Sequence, residues 1–302
     1  MRTRHLVGGT LAALVLAVAT APLVVGALAQ SRFATMRERT TTASPFIRSW
    51  TVRSYERGYL AAQASSELTI GAPGSDDTTT IELEHAIRHA PVAGTDLARV
   101  HSEPILEREA ARFARALFGT GRAPLTVDVR IGLAGTRTIR VHSPATDGMR
   151  ELEQGRIDWD GLEASATITA DARRFDYRVE LPGLRLEPAE GDKARVRLEA
   201  IRAEGGYAGT RFEAVWTGSA GTRVGRIALE GGAAGPILLA GLQADSETRL
   251  DNGLVAFTLD AMVERLRFPG HSLSSVRLDA SGSNLAPALL QAARAAGEQA
   301  RA

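Results

Sequence analysis

Apolar and polar positions alternate with a period of two through most of the chain beyond residue 45, the spacing of strands with one covered and one solvated face. Leu60, Ala62, Ala64, Ser66, Leu68 and Ile70 share one face. Ile81, Leu83, His85 and Ile87 share another, with Glu82, Glu84 and Arg88 opposite. Leu125, Val127, Val129, Ile131 and Leu133 alternate with Thr126, Asp128, Arg130 and Gly132. The pattern recurs in Ile139 and Val141, in Tyr177, Val179 and Leu181, and in Val196 and Leu198, with Ile201 following after a slip. Phe212, Ala214 and Trp216 continue it, then Val224, Ile227 and Leu229, then Leu250 and Leu254, then Val276 and Leu278. Turn residues separate the runs: Pro73-Gly74, Gly119-Thr-Gly121, Gly205-Gly206, Gly231-Gly232, Asp251-Asn252-Gly253 and Pro269-Gly270. Asp251-Asn252-Gly253 is the strongest hairpin signal among them.

Two stretches carry helical spacing instead. Ser102 is placed to cap a helix with Pro104 in its first turn, and Ile105, Leu106, Glu109, Phe113, Ala116 and Leu117 follow up to Gly119. The tail 286–302 is alanine-rich, with Leu289, Leu290, Ala293 and Ala296 on one side and Asn284 as its cap. Helices do not alternate with strands, which argues against a doubly wound α/β enzyme. The expected fold is mainly β: an extended antiparallel meander sheet with one or two packed helices, preceded by a transmembrane helix. No fixed sequence period marks a solenoid. The expected organisation is a short N-terminus 1–5, an apolar segment 6–29, a polar linker 30–44, a β-rich body 45–285 and a C-terminal helix 286–302.

The apolar segment reads LVGGTLAALVLAVATAPLVVGALA from Leu6 to Ala29, without a charge. As a helix it reaches roughly 36 Å, enough for a hydrocarbon core of about 30 Å. A cleaved secretory signal would use Ala27-Leu28-Ala29 as its processing site; an uncleaved anchor would use the whole run, which exceeds the usual ~7–15 apolar residues of a signal. The anchor is the preferred reading, with a short cytoplasmic N-terminus and everything after about Gln30 outside the cytoplasm. Flanking arginines lie on both sides and do not decide orientation, but a long domain after a first helix translocates largely regardless of charge. The run 231–244, interrupted by glycines and Pro236, reads as a buried strand and turn rather than a second span.

Over 302 residues, 36 basic side chains balance 35 acidic ones. Arg2 and Arg4 are the only formal charges before residue 31, so the remainder carries −1. That balance argues against nucleic acid as partner. Lys193 is the only lysine, and arginines interleave with acids at Arg195/Arg197/Glu199 and Asp171/Arg173/Arg174/Asp176, as on a solvated sheet face. The absence of cysteine excludes disulfides, thiolate metal sites and cysteine nucleophiles. Aromatic residues make up 5%, so the core is expected to be aliphatic.

Candidate chemistry is thin. His85 and His89, with His101 nearby, suggest a metal site, but on a strand residues four apart lie about 13 Å apart, too far for a shared zinc ion. Structural histidines are the better reading. Asp158-Trp159-Asp160 could place two carboxylates together, yet solvated acids beside the Gly161 turn account for it, as for Glu82/Glu84 and Glu151/Glu153. Gly218-Ser-Ala-Gly221 lacks the register of a nucleophile elbow. Gly231-Gly-Ala-Ala-Gly235 lacks the Lys-Ser/Thr of a phosphate loop and reads as a glycine turn. No catalytic residue, metal ligand or cofactor is expected.

Several short motifs occur in a recognisable order: Tyr55-Glu-Arg57-Gly58-Tyr59-Leu60, Ile87-Arg-His89-Ala-Pro91, Val129-Arg-Ile131-Gly132-Leu-Ala-Gly135, Leu239-Ala-Gly241-Leu242 with its hairpin, and Val276-Arg-Leu278. The series resembles the YdgA-like bacterial family, a family of unknown function (DUF945), from the apolar segment to about Asn284. The resemblance implies an inner-membrane anchor, a periplasmic body, and family-motif positions at Tyr55, Arg57, Gly58, His89 and Pro91. Family members typically carry Ser-Ser where Ala61-Ala62 stands and glycine where Ala90 stands. Losing that glycine removes freedom at positive φ, so the turn there is expected to differ. Members are often longer at the C-terminus, so a short form is expected here. A corner in which Gly58 turns the chain and Arg57 pairs with an acid is preferred over a functional contact.

Two functions are expected from these observations. The first is a non-enzymatic, membrane-tethered envelope protein of structural or scaffold role. The second is a module that binds or transfers lipid or another hydrophobe on an apolar sheet face. Self-association through an edge strand or the tail helix would fit either. An open apolar face would favour the second, a fully packed sheet the first.

Overall fold

The computed structural model describes residues 47–71, 78–89, 96–121, 124–153, 155–189, 195–212, 215–231, 235–289 and 292. These fall into two compact units, one of the residues up to Ala114 with Gly121–Ile139, the other of Arg115–Thr120 with the chain from Arg140. The apolar segment 6–29 and the linker 30–44 lie outside the described residues, as does most of the tail. Among the described residues no helix is long and apolar enough to cross a membrane.

The first unit is an antiparallel meander of β1 (Ile47–Arg57), β2 (Ala61–Gly71), β3 (Thr78–His89), β4 (Asp96–Pro104) and β5 (Thr126–Gly132). Alternation fixes which side chains share a face. Ala62 stands opposite Ile87, Ile87 opposite Val100, and Val100 opposite Val129. These four and Ala64 are buried, and Tyr55, Val127, Ile131 and Ile139 pack against them. Alanines on β2 beside branched residues on β3 to β5 let the layers interdigitate. Covering a side chain such as Ile87 contributes about 1.5–3 kcal/mol.

The α1 helix (Arg108–Phe118) starts later than its sequence spacing predicts. Ser102 and Pro104 belong to β4, and the Ser102 hydroxyl faces His85 instead of capping a helix. The β4–β5 ladder ends at Ser102, so the missing N–H of Pro104 is not needed on that side. The helix buries Ala114 and Leu117, whereas Ile105 and Phe113 are exposed. Its end is where the glycine places it: the Gly119 N–H reaches the Arg115 carbonyl at 3.0 Å with Gly119 at φ 70.

The strand β6 (Arg137–Ser143) leads into the second unit, which holds β7 (Arg150–Leu152), β8 (Gly155–Trp159), β9 (Leu162–Ile168) and six strands of fifteen residues each. These are β10 (Arg174–Pro188), β11 (Arg195–Gly209), β12 (Trp216–Glu230), β13 (Ile237–Asp251), β14 (Leu254–Phe268) and β15 (His271–Leu285). Each pairs antiparallel with the next. β8 and β9 lie end to end along β10. β10 to β13 begin at 174, 195, 216 and 237, a constant interval of 21 residues that sequence similarity does not reveal.

Two turns follow their chemistry. Asn252 and Gly253, both at positive φ, form a two-residue hairpin turn between β13 and β14. Pro269-Gly270 does the same between β14 and β15. Gly205-Gly206 does not turn; it lies inside β11, where a Cβ at Gly205 would sit 2.9 Å from the Tyr177 ring of β10. The glycine is required by a cross-strand aromatic, a tertiary contact that local composition cannot distinguish from a turn. Asn284 belongs to β15 rather than capping the tail; helical geometry begins at Pro287. The strand within 231–244 is β13, and it is half-buried instead of buried, with Ile237 exposed.

One row crosses this sheet unlike the others. Aligning the ladders places Gly161, Pro182, Ala200, Gly225, Gly241, Glu264 and Ser275 side by side, and none belongs to a regular ladder pair. Gly161, Ala200, Gly241 and Ser275, on alternate strands, have φ of 92, 51, 63 and 53. In every strand the apolar alternation changes phase here. β11 passes from Val196 and Leu198 to Ile201 and Ala203; β14 passes from Leu259, Ala261 and Val263 to Leu266 and Phe268. The slip legible before Ile201 is thus one position of a sheet-wide dislocation.

Candidate functional site

On the covered face of the first unit, polar groups form one chain, buried from Ser66 through His85 to Ser102. The Trp50 indole N–H donates to Ser66 Oγ at 2.8 Å; Ser66 Oγ lies 2.8 Å from His85 Nε2, and His85 Nδ1 lies 2.8 Å from Ser102 Oγ. Since the indole can only donate, a consistent direction has Ser66 donating to Nε2 and Nδ1–H donating to Ser102, which requires a neutral ring. Burial enforces that state by pushing the His85 imidazole down to about 4. The serine–histidine contact resembles a nucleophile and its base, but Ser66 and His85 are 1% and 2% exposed. Nothing can approach them, so the chain serves to satisfy buried polar groups.

The family-motif residues surround one end of this face. Gly58 N–H bonds the Ala61 carbonyl at 2.8 Å, and a Cβ at Gly58 would press on that same oxygen. Close backbone approach at the β1–β2 corner therefore explains the glycine. His89 N–H bonds the Leu60 carbonyl of the same corner at 2.9 Å. His89 is buried, and among the described residues neither its ring nitrogens nor the Tyr55 hydroxyl oxygen has a hydrogen-bond partner. Burial, reinforced by the charge of Arg57, lowers the His89 pKa; burial raises that of Tyr55, partly countered by Arg57. Tyr55, Arg57, Gly58 and His89 are thus gathered at one corner. Arg57 has no acidic partner among the described residues, contrary to the ion pair expected for it. Pro91 and Ala90 lie outside the described residues.

His101 does not join the other histidines. It stands opposite Ala86, on the other face from His85 and His89. There its Nδ1 lies 2.8 Å from Asp128 and its Nε2 2.9 Å from Glu103, bonds that raise its pKa. Among the described residues no cluster of three or more potential ligands could hold a metal. Asp158 lies opposite Arg185 within a ladder, and Asp160 follows β8, its carboxylate over Gly183.

The second unit offers a larger feature. On the β9 side of the dislocation, β10 to β15 align four consecutive rows on one face. The row next to it is Leu181, Ile201, Val224, Leu242, Val263 and Val276. Rows through Ala203 and Ala261, through Ala220 and Leu259, and through Tyr207 and Phe257 follow. Of the side chains in these four rows only Val224 is buried. Phe257, Val276 and Leu278 rank among the exposed large apolar side chains. At one corner Phe175 stacks on Tyr207 and Tyr177 and meets Trp216 edge-on, with centroids 5.3, 6.2 and 5.8 Å apart. The opposite face carries ion pairs: Arg178–Glu180 at 2.6 Å, Arg223–Asp245 at 2.8 Å and Arg277–Asp260 at 3.0 Å. Of the interleaved arginines and acids of the sequence, Arg174 and Asp176 pair on this face, whereas Asp171 and Arg173 lie in the turn before β10. Alternation revealed the apolar positions, but not that they remain half-open.

A mainly β meander with a polar face and a half-open apolar face defines the class of this protein. The chain belongs to a bacterial family of unknown function, DUF945, whose model matches residues 1–302. Comparison with curated proteins and with solved structures gives no match.

Proposed function

We propose that this is a non-enzymatic protein anchored in the bacterial inner membrane, its β-rich body in the periplasm, which holds the acyl chains of membrane lipid on the apolar face of β10 to β15. The observation that carries the reading is the alignment of four small or apolar rows over six strands with only Val224 among them buried. An apolar surface of this extent on a soluble body needs a covering. Six strands about 4.8 Å apart span roughly 24 Å, more than the ~15 Å of one leaflet's hydrocarbon. Small residues such as Ala203, Ala244 and Ala261 keep the floor low, leaving room for a chain lying across the strands. The uncharged segment 6–29 would tether the chain to a bilayer.

The test is native mass spectrometry and lipid extraction on the full chain purified from membranes in mild detergent. Stoichiometric phospholipid is expected, and Ala261→Arg should reduce it several-fold while the melting transition stays cooperative. Lipid-free wild-type protein, or equal lipid on the folded variant, would overturn the reading and leave the scaffold role.

A further inference from the structure

We propose that two copies of this chain join edge to edge through β15, in an antiparallel ladder centred on Leu278. Among the described residues β15 pairs with β14 alone, and every residue from His271 to Asp279 is exposed. A fifteen-residue edge with free backbone donors and acceptors is a template for another strand. The side chains select the partner. Two copies related by a twofold axis perpendicular to the sheet keep their apolar faces together only when residues of equal parity oppose each other. Centring on Arg277 or on Asp279 would set like charges opposite each other. Centring on Leu278 sets Arg277 of each copy opposite Asp279 of the other, with Leu278 against Leu278 and Val276 against Ala280. It brings Arg277, already paired with Asp279 and Asp260 of its own chain, beside a carboxylate of the other copy at two crossings, and covers Leu278 and Val276, which are 54% and 37% exposed. The rows through Val276, Leu278 and Ala280 would then continue from one copy into the other. The inference rests on the edge strand and holds whether or not that face carries lipid.

The chain has no cysteine, so a single introduced cysteine reports proximity without background. In the proposed ladder the two 278 positions face each other within disulfide reach. Ser272 would oppose Asn284 instead, leaving the two 272 positions roughly 40 Å apart. Mild oxidation of the full chain in detergent should give a covalent dimer for Leu278→Cys at least about tenfold more than for Ser272→Cys. Adding Arg277→Asp should cut the Leu278→Cys yield by about tenfold, because like charges then meet at both crossings. Adding Asp279→Arg to that variant should restore it. Thermal melts confirm that each variant is folded. Equal yields at 272 and 278, a yield indifferent to Arg277→Asp, or failure of the charge swap to rescue would each overturn the proposal.

Discussion

Ser66 and His85 stand on neighbouring strands with Oγ and Nε2 2.8 Å apart, both sealed from solvent, in a chain that begins at Trp50 and ends at Ser102. Ser102→Ala removes the hydroxyl that bonds the buried His85 Nδ1 and should cost about 1–3 kcal/mol. Chemical denaturation at neutral pH measures it. A variant as stable as the wild type would show that the chain does not hold the β2–β3–β4 region together.

The same histidine predicts an acid sensitivity. Its folded value of about 4 lies below the ordinary 6.5, so between the two the unfolded chain binds more protons. This contribution is complete above about pH 6.5 and disappears as pH falls towards 4, a loss of roughly 3 kcal/mol. Unfolding curves between pH 7 and pH 4 should show this slope in the wild type and a shallower one in His85→Gln.

His101 should behave in the opposite sense. Asp128 and Glu103 raise its pKa, so its contribution is present below the unfolded value and fades as pH rises through the folded one. Because the pair network is partly exposed, the effect is modest and weakens with salt. Histidine titration followed by NMR should place His101 above 6.5, and Asp128→Asn should move it down.

The dislocation across the second unit predicts which substitutions its sheet tolerates. Gly241 has φ 63, and a Cβ there would meet the Glu264 side chain. Gly241→Ala should cost about 1 kcal/mol or more. Ala200 already sits at φ 51, so Ala200→Gly relieves strain and should be neutral or stabilising. Paired thermal melts decide this; stabilisation by Gly241→Ala would contradict the left-handed geometry of that row.

The turn Asn252-Gly253 gives a sharper local test. Gly253 has φ 83, and Gly253→Val should cost more than 1 kcal/mol, since a branched side chain is excluded there. Asn252→Gly should change stability little. Urea denaturation of both variants compares them directly.

The sequence by itself determined the strands, their antiparallel pairing, the Asn252-Gly253 hairpin and the interleaved charges of the polar face. Each depends on local stereochemistry or on a period of two. It also carried the motif order that marks the family. Tertiary structure decided the rest. Ser102 could cap a helix or accept a bond from His85, and only the register of β3 against β4 chooses. Gly205 looks like a turn until Tyr177 is placed across from it. The slip before Ile201 is an irregularity in one strand until seven aligned positions show a dislocation. Whether an alternating strand ends with its apolar side packed or open depends on what lies across the sheet, and a period of two is the same in both cases.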